Sequence, residues 1–261
     1  MSKHPIRILS SMARSGGTLV SRCLGAMENI VLLSEIHPQS MHIFNPLEQA
    51  RDWYGLLQPG DLEQQYSFID TIRLVARRCE ESGKTLVIRD WAHLDYLGVP
   101  FLKKPAYRNQ LAAALAEAFE VIQYSLVRHP ADQWLSTARL KVMEDHLDLE
   151  AFLAGHRRFS EQAVTLGFMR YEDFTRDPAK HMQLLCEHLQ TGYDAGFINR
   201  WQNNEHVTGD ISRMSRGSGF NDIKPLERRP VDKSLLKALQ NNPDYYRSLE
   251  LLGYTDPLIR N

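Results

Sequence analysis

Short apolar runs alternate with amphipathic segments over most of the chain. Runs typical of strands buried in a parallel sheet begin at Ile6, Ile30, Thr85 and Val121. Segments with helical spacing or helix-start signals begin at Thr18, Gln64, Asn109 and Pro130, and Gly83 ends the second of them. This alternation predicts an α/β fold with three layers, in which helices flank a central, mainly parallel sheet.

Two stretches lack this regularity. Residues 39–63 have no clear period, and we expect a loop or short helices there. After Leu189 the chain is less regular, and two helices are predicted near its end, Val231–Gln240 and Asp244–Leu252. Neither an internal repeat nor a long charged linker divides the chain, so we predict one domain over residues 1–261.

The loop between the first strand and the first helix has the composition of an anion site. Its sequence, Arg14-Ser15-Gly16-Gly17-Thr18-Leu19, combines a cation, two hydroxyls and two glycines. Glycine lets the backbone approach a ligand closely, and the N-terminus of the helix adds its N–H groups and the positive end of its dipole. We predict a phosphate-binding loop, although an ordinary strand-to-helix turn has the same outline.

Composition narrows the function classes. The 261 residues are 43% hydrophobic and 24% charged, with a formal net charge of −1. At this charge no general attraction to nucleic acid is expected, and no apolar run reaches membrane-spanning length. The three cysteines are far apart, which predicts neither a zinc site nor a disulfide framework. Because the N-terminus lacks the apolar segment of a signal peptide, the expected compartment is the cytoplasm.

A second candidate anion site follows the strand predicted over Val121–Val127. Arg128 ends this strand, Pro130 begins the next helix, and Ser136 lies on its second turn. Such an arginine and serine can converge on one phosphate, the first by a charge-assisted hydrogen bond and the second through its hydroxyl. The alternative is a structural arginine before an ordinary helix start.

A third segment, Tyr171-Glu172-Asp173-Phe174, comes at a predicted strand end and precedes a helix that begins at Pro178. We expect Tyr171 and Phe174 to pack against the strand end. The carboxylates are expected to cap or to face solvent, which gives the segment an architectural role.

Together the three segments resemble the sulfotransferase family. The first loop resembles its 5′-phosphosulfate loop, Pro-Arg/Lys-Ser-Gly-Thr-Thr, with Ala13 in place of the proline and Gly17 in place of the first threonine. Arg128 and Ser136 match the spacing of the family's 3′-phosphate motif, and Tyr171–Phe174 is similar to its Tyr-Glu-Asp-Leu segment. The resemblance implies a P-loop-like fold and sulfuryl transfer from 3′-phosphoadenosine 5′-phosphosulfate to an acceptor hydroxyl or amine. Adenosine 3′,5′-bisphosphate would be the second product.

The resemblance also assigns residues. The loop from Arg14 to Leu19 would hold the 5′-phosphosulfate, with Arg14 stabilising the bridging oxygen, and Arg128 and Ser136 would hold the 3′-phosphate. Arg216-Gly217 is similar to the loop with which many members close over the 3′-phosphate. Since arginine and backbone N–H groups can meet the charge of this donor, no metal site is expected.

The general base is predicted among four residues at or after strand ends: Glu35, His37, Asp90 and His93. Glu35-Ile36-His37 is similar to the Glu-Val-His segment of glycosaminoglycan sulfotransferases, in which the glutamate is the base, and tyrosylprotein sulfotransferases also have a glutamate in this region. Cytosolic small-molecule sulfotransferases instead use a histidine after the third strand, but His93 lies two residues out of that register. We rank Glu35 first, His37 second and His93 third, and expect Glu35 to lie close to Arg14.

Two other classes stay open at this point. A phosphotransferase would use Asp90 to hold magnesium, but it would need a lysine that the first loop lacks. A non-catalytic nucleotide-binding protein of the same fold would have the same sequence pattern. The expected acceptor is a small molecule or a hydroxyl of a glycan or peptide, in a pocket shaped by residues 39–63 and 91–107, and neither nucleic acid nor a membrane is expected as a partner.

Overall fold

The computed structural model describes residues 3–209 and 222–255, and within them five strands form one sheet. The strands are β1 (Pro5–Ser11), β2 (Ile30–Ile36), β3 (Thr85–Asp90), β4 (Glu120–Val127) and β5 (Phe168–Arg170). Each pair of neighbours is parallel. The predicted α/β architecture with a parallel sheet is therefore confirmed.

Helices connect and cover these strands. They are α1 (Gly17–Gly25), α2 (Pro46–Asp52), α3 (Phe68–Glu81), α4 (Ala92–Tyr96), α5 (Gln110–Leu115), α6 (Pro130–Thr137), α7 (Leu149–Leu166), α8 (Tyr171–Arg176), α9 (Pro178–His188), α10 (Phe197–Arg200), α11 (Lys233–Gln240) and α12 (Pro243–Leu252). Short 3₁₀ turns lie at Pro59–Leu62, Lys141–Met143 and Trp201–Asn203. In the part of the chain that the structure describes, no helix is both long and apolar enough to cross a bilayer.

Side-chain caps explain where several helices differ from the prediction. The helix predicted from Gln64 begins at Phe68, because Ser67 caps it by accepting a hydrogen bond from the Asp70 N–H at 3.2 Å. Asn109 likewise caps α5, which ends at Leu115 rather than at Phe119. The 18-residue helix α7 was not predicted at all, although Asp148 caps its start.

The order of the strands places the functional edge of the sheet. The order is β2-β3-β1-β4-β5, so the chain builds one side of β1 first and crosses to the other side between β3 and β4. In open parallel sheets such a reversal leaves a crevice outside the carboxyl ends of the strands. The loops after β1, β3 and β4 reach this crevice, and β2 reaches it through Glu35 near its end.

Both faces of the sheet are covered. Ile6 and Ile8 of β1 pack on one face with α3 and α5, while Leu9 packs on the opposite face with α1 and α9. Burying one such side chain contributes about 1.5–3 kcal/mol to folding. A third apolar cluster joins the end of β4 to α7 and α12. These layers hold the strand ends, and with them the loops of the crevice, in fixed positions.

Candidate active site

A cavity of about 420 Å³ opens at the carboxyl ends of the strands. Its walls contain eight of the predicted site residues: Arg14, Gly16, Gly17, Thr18, Leu19, Glu35, Arg128 and Ser136. Ser15, His37 and His93 are not among the residues that line it. Arg216 and Gly217 lie outside the described residues, so their predicted role stays a prediction.

The loop after β1 needs glycine for two separate reasons. Gly16 precedes α1 with φ 100°, a left-handed conformation that side chains rarely adopt. A Cβ at Gly16 would overlap the ring of Tyr171, and a Cβ at Gly17 would overlap the hydroxyl of Ser11. Tyr171 thus has the architectural role predicted for it, since its ring packs directly on the loop. Both glycines line the cavity at the N-terminus of α1.

Ser15 closes this loop rather than facing the cavity. Its hydroxyl donates a hydrogen bond to the carbonyl of Met12 at 2.8 Å, and its N–H donates to the same oxygen at 3.2 Å. The side chain is fully buried. We therefore assign Ser15 a structural role in the loop. Because its hydroxyl proton is donated to the Met12 carbonyl, that proton does not contact a ligand.

The two predicted anion sites are joined to each other. Arg14 donates from Nε to the Ser136 hydroxyl at 2.9 Å, and Arg128 donates from Nη1 to the carbonyl of Arg14 at 3.0 Å. The Arg128 guanidinium also lies over the Tyr171 ring, 4.9 Å from its centroid. A further cation that the sequence analysis did not identify, Arg229, lines the same wall.

Glu35 reaches the cavity because β2 is irregular near its end. The pairing of β2 with β3 shifts register between Leu33 and Ile36, and Glu35 has φ 58°. Its neighbours Ser34 and Ile36 are fully buried, whereas the Glu35 side chain is 18% exposed and lines the cavity. The apolar run Ile30–Ser34 predicts a strand that ends before Glu35, but β2 continues to Ile36 and includes Glu35.

The cation beside Glu35 is Arg89, not Arg14 as the sequence analysis expected. Arg89 Nη2 lies 3.3 Å from Glu35 Oε1 and donates to the carbonyl and hydroxyl of Thr208 at 3.0 and 3.2 Å. Only 3% of the Arg89 side chain is exposed, and its buried Nε has no hydrogen-bond partner among the described residues. Burial lowers the pKa of Arg89, and the charges of Glu35 and Asp90 oppose this effect.

A strap of chain, residues 204–209, completes this side of the cavity. Thr208 is tied to β2, since its N–H donates to the Ser34 hydroxyl at 3.0 Å. Gly209, with φ 98°, lies so close that a Cβ there would be 3.0 Å from Thr18 Oγ1 and 3.5 Å from Glu35 Oε1. The strap therefore brings the carboxylate of Glu35 near the first turn of α1.

The two candidate histidines are buried behind the cavity wall. His37 accepts a hydrogen bond on Nδ1 from the Gln39 N–H at 3.2 Å, so Nε2 carries the proton and donates to Asp95 Oδ1 at 3.3 Å. His93 donates from Nε2 to the carbonyl of Val99 at 2.6 Å, and burial lowers its pKa. His37 is thus held by Gln39 of its own loop and by Asp95 of α4, and His93 by the carbonyl of Val99.

Asp90 is also occupied by the protein itself. It accepts hydrogen bonds from the Ser10 hydroxyl and the Asn109 amide, both at 2.6 Å, and from the Ser11 N–H at 3.2 Å. Burial raises its pKa to about 7. It does not line the cavity, and the described residues contain no group of three or more His, Cys, Asp or Glu side chains that could hold a metal ion. These contacts leave Asp90 poorly placed for the magnesium role that a phosphotransferase requires.

Solved structures resemble this fold, whereas the sequence matches no protein-family model and no curated protein. The sulfotransferase domain from the Synechococcus PCC 7002 olefin synthase has a TM-score of 0.69 and 17% identity, over 98% of this chain and 97% of that one. The sulfotransferase domain from the curacin biosynthetic pathway has a TM-score of 0.65 and 15% identity, over 98% and 100%. A sulfotransferase from Alicyclobacillus acidocaldarius has a TM-score of 0.50 and 13% identity, over 97% of both chains. The chain has the sulfotransferase fold.

Proposed function

We propose that this protein is a sulfotransferase, which moves a sulfuryl group from 3′-phosphoadenosine 5′-phosphosulfate to the hydroxyl of an acceptor. One observation carries the proposal: a single cavity joins a backbone anion cradle and three arginines, Arg14, Arg128 and Arg229, on one side to the Glu35 carboxylate on the other. Phosphate and sulfate groups need the first feature, and an acceptor hydroxyl that must lose a proton needs the second.

The residues of the cradle fit such a donor. The N–H groups at the start of α1 and the side chain of Arg14 would hold the 5′-phosphosulfate in the cavity that Gly16 and Gly17 line. Arg128 and Ser136 would hold the 3′-phosphate. Because Ser136 accepts its hydrogen bond from Arg14 Nε, its own hydroxyl proton stays available for a phosphate oxygen.

The chemical step uses Glu35 and Arg14. As the acceptor oxygen attacks sulfur, Glu35 takes the hydroxyl proton, and the bond from sulfur to the 5′-phosphate oxygen breaks. Arg14 stabilises the negative charge that develops on this leaving oxygen. The products are a sulfate ester and adenosine 3′,5′-bisphosphate, and the proton then passes from Glu35 to water.

Arg89 acts as a positioning residue for Glu35. Its contacts with Thr208 fix the guanidinium, and the guanidinium fixes the Glu35 carboxylate. Arg14, Arg89 and Arg128 together supply the positive charge that magnesium supplies in phosphoryl transfer. Glu35 is favoured over His37 and His93 as the base, because only Glu35 of the three lines the cavity.

A transfer assay tests this proposal. The protein is incubated with donor radiolabelled in the sulfuryl group, in the presence of a chelator, with an alkanol, a phenol, a sugar and a tyrosine peptide as acceptors. We expect label in an organic sulfate and an equal amount of adenosine 3′,5′-bisphosphate. Magnesium-dependent transfer from ATP would instead establish a phosphotransferase. Binding of the bisphosphate with no transfer to any acceptor would favour the non-catalytic alternative.

A further inference from the structure

Three aromatic rings run from the wall of the cavity to the surface, and we call them the aromatic strip: Phe44, Trp91 and Phe101. Trp91 lines the cavity together with Glu35. Its ring centroid lies 5.0 Å from that of Phe44 and 4.9 Å from that of Phe101. Phe101 is 45% exposed, and Ile43 beside Phe44 is 46% exposed. An apolar surface therefore continues outward from the carboxylate.

The chain around Phe44 and around Phe101 lacks carboxylates, and the two carboxylates nearest to Trp91 in sequence, Asp90 and Asp95, are buried. Residues 36–47 and residues 96–116 contain neither aspartate nor glutamate. Lys103, Lys104 and Arg108 are exposed and follow Phe101 in the chain. Behind the strip, His93 meets the edge of Phe101 with ring centroids 6.3 Å apart, and burial lowers its pKa, which favours the neutral ring. The strip is thus apolar at its centre and cationic at its outer end.

We propose that the acceptor is an amphiphilic alcohol: a hydroxyl on an apolar carbon chain that carries an anionic group at its far end. The hydroxyl would lie at Glu35, the carbon chain along the aromatic strip, and the anionic group near Lys103 and Lys104. The proposal rests on the proposed function, because it names the substrate class for the same cavity.

Physical chemistry favours this class over a polyol. A carbon chain laid on the strip removes apolar surface of both partners from water, which is favourable in proportion to the area covered. A sugar would cover the same rings with few partners for its hydroxyls, because Phe44 and Phe101 have no hydrogen-bonding side-chain group and Trp91 has only its indole N–H, and unsatisfied polar groups lose affinity. The lysines would add a charge interaction that weakens as salt is raised.

The test measures acceptor binding by calorimetry in the presence of saturating adenosine 3′,5′-bisphosphate, so that it does not depend on turnover. The probes are 10-hydroxydecanoate, 1-decanol and sorbitol. We expect 10-hydroxydecanoate to bind most tightly, 1-decanol several-fold more weakly, and sorbitol more weakly than either. If sorbitol bound more tightly than 1-decanol, the assignment of an apolar carbon chain to the strip would be overturned. If 1-decanol bound as tightly as 10-hydroxydecanoate or more tightly, the assignment of an anionic group to the far end would be overturned.

Two variants locate the site, and a third is the matched control. Phe101→Ser should weaken both decyl ligands by about tenfold, since it removes an exposed ring of the strip. The double variant Lys103→Ser/Lys104→Ser should weaken 10-hydroxydecanoate alone. Leu184→Ser changes a side chain that is 43% exposed on α9, outside the strip, and should leave all three affinities unchanged.

Adenosine 3′,5′-bisphosphate separates this proposal from the one on which it rests. If the bisphosphate binds the wild type and Phe101→Ser equally, the variant reports on the acceptor alone. Loss of bisphosphate affinity in Phe101→Ser would mean that the strip belongs to the nucleotide site, and the acceptor proposal would fail. Absence of bisphosphate binding to the wild type would contradict the proposed function itself.

Discussion

In one half of the cavity Arg14 donates to a hydroxyl and Arg128 to a carbonyl, while in the other half Glu35 and Arg89 form an ion pair. We call the first the donor half; it consists of the loop from Ala13 to Leu19 with Arg128 and Ser136. The second is the acceptor half, which consists of Glu35, Arg89, Trp91 and the strap of residues 204–209. A hydroxyl and a carbonyl do not neutralise the cation that donates to them. In the acceptor half, the ion pair with the buried Arg89 holds the Glu35 carboxylate in one orientation.

This difference assigns separate tasks to the two halves. Positive groups and helix N–H donors bind anions well, but they take no proton from a hydroxyl. The Glu35 carboxylate accepts a proton and has little use as an anion site. Substitutions in the donor half should therefore change nucleotide affinity or leaving-group stabilisation, and those in the acceptor half should change turnover with nucleotide affinity intact.

The largest effect is expected at Glu35. Glu35→Gln keeps the size of the side chain and its hydrogen bonding but removes the proton acceptor, so kcat should fall by roughly 10²- to 10⁴-fold. Affinity for adenosine 3′,5′-bisphosphate should not change. His37→Asn and His93→Asn are the controls, and both should turn over within about threefold of the wild type, provided that they fold. Collapse of kcat in one histidine variant, with Glu35→Gln active, would move the role of base to that histidine.

Arg14→Ala should follow, with a loss of about 10²-fold in kcat, since it removes the charge that stabilises the leaving oxygen. Donor affinity should fall less than kcat. The measurement is turnover at saturating donor compared with the dissociation constant of the bisphosphate. Normal turnover once the variant is saturated would make Arg14 a binding residue only.

Arg128→Ala should act on the nucleotide. Losing a charge-assisted contact with the 3′-phosphate should weaken adenosine 3′,5′-bisphosphate by roughly 2 kcal/mol, about 30-fold in the dissociation constant. Adenosine 5′-phosphate has no 3′-phosphate, and its affinity should change far less. Equal losses for both ligands would place Arg128 elsewhere on the nucleotide.

Arg89→Lys should have the smallest effect on kcat, and it tests the ion pair between Arg89 and Glu35 in the acceptor half. Lysine keeps the charge but cannot hold Thr208 and Glu35 with one planar group, so kcat should fall by about tenfold. Combined with Glu35→Gln, it should add little, because the two residues act as a unit. Arg7→Lys, a substitution in β1 outside the cavity wall, is the matched control. Full additivity in the double variant would contradict a positioning role for Arg89.

The donor half was predictable because its parts are local in sequence. Strand, glycines and helix start lie within one short stretch, and the spacing from Arg128 to Ser136 is set by the end of β4 and the two turns of α6. The unpredicted helix α7 has the same kind of signal, with Phe152, Phe159 and Ala163 on its buried face. Its charged residues Arg157 and Arg158 stand between these apolar positions in the sequence, and in the structure both pair with Glu161.

The acceptor half was predictable only in part. Glu35 was identified, but its partner was expected on the first loop, and the structure places it on β3. The alternation of side chains along β3 could have helped to identify this partner. Arg89 lies on the same face as Val87 and opposite to Asp90 and Ile88. The strap could not be foreseen, because Thr208 and Ser34 are 174 residues apart and meet only in the folded chain. The burial of His37 and His93 likewise depends on loops that no local pattern fixes.

The most direct test of the whole account is a calorimetric titration of the wild-type protein with adenosine 3′,5′-bisphosphate in the presence of a chelator. The account predicts one site per chain, with tighter binding than for adenosine 5′-phosphate and no change when magnesium is added, because arginines and the N-terminus of α1 meet the charge of the phosphates. Binding of ATP that needs magnesium, with no binding of the bisphosphate, would contradict it.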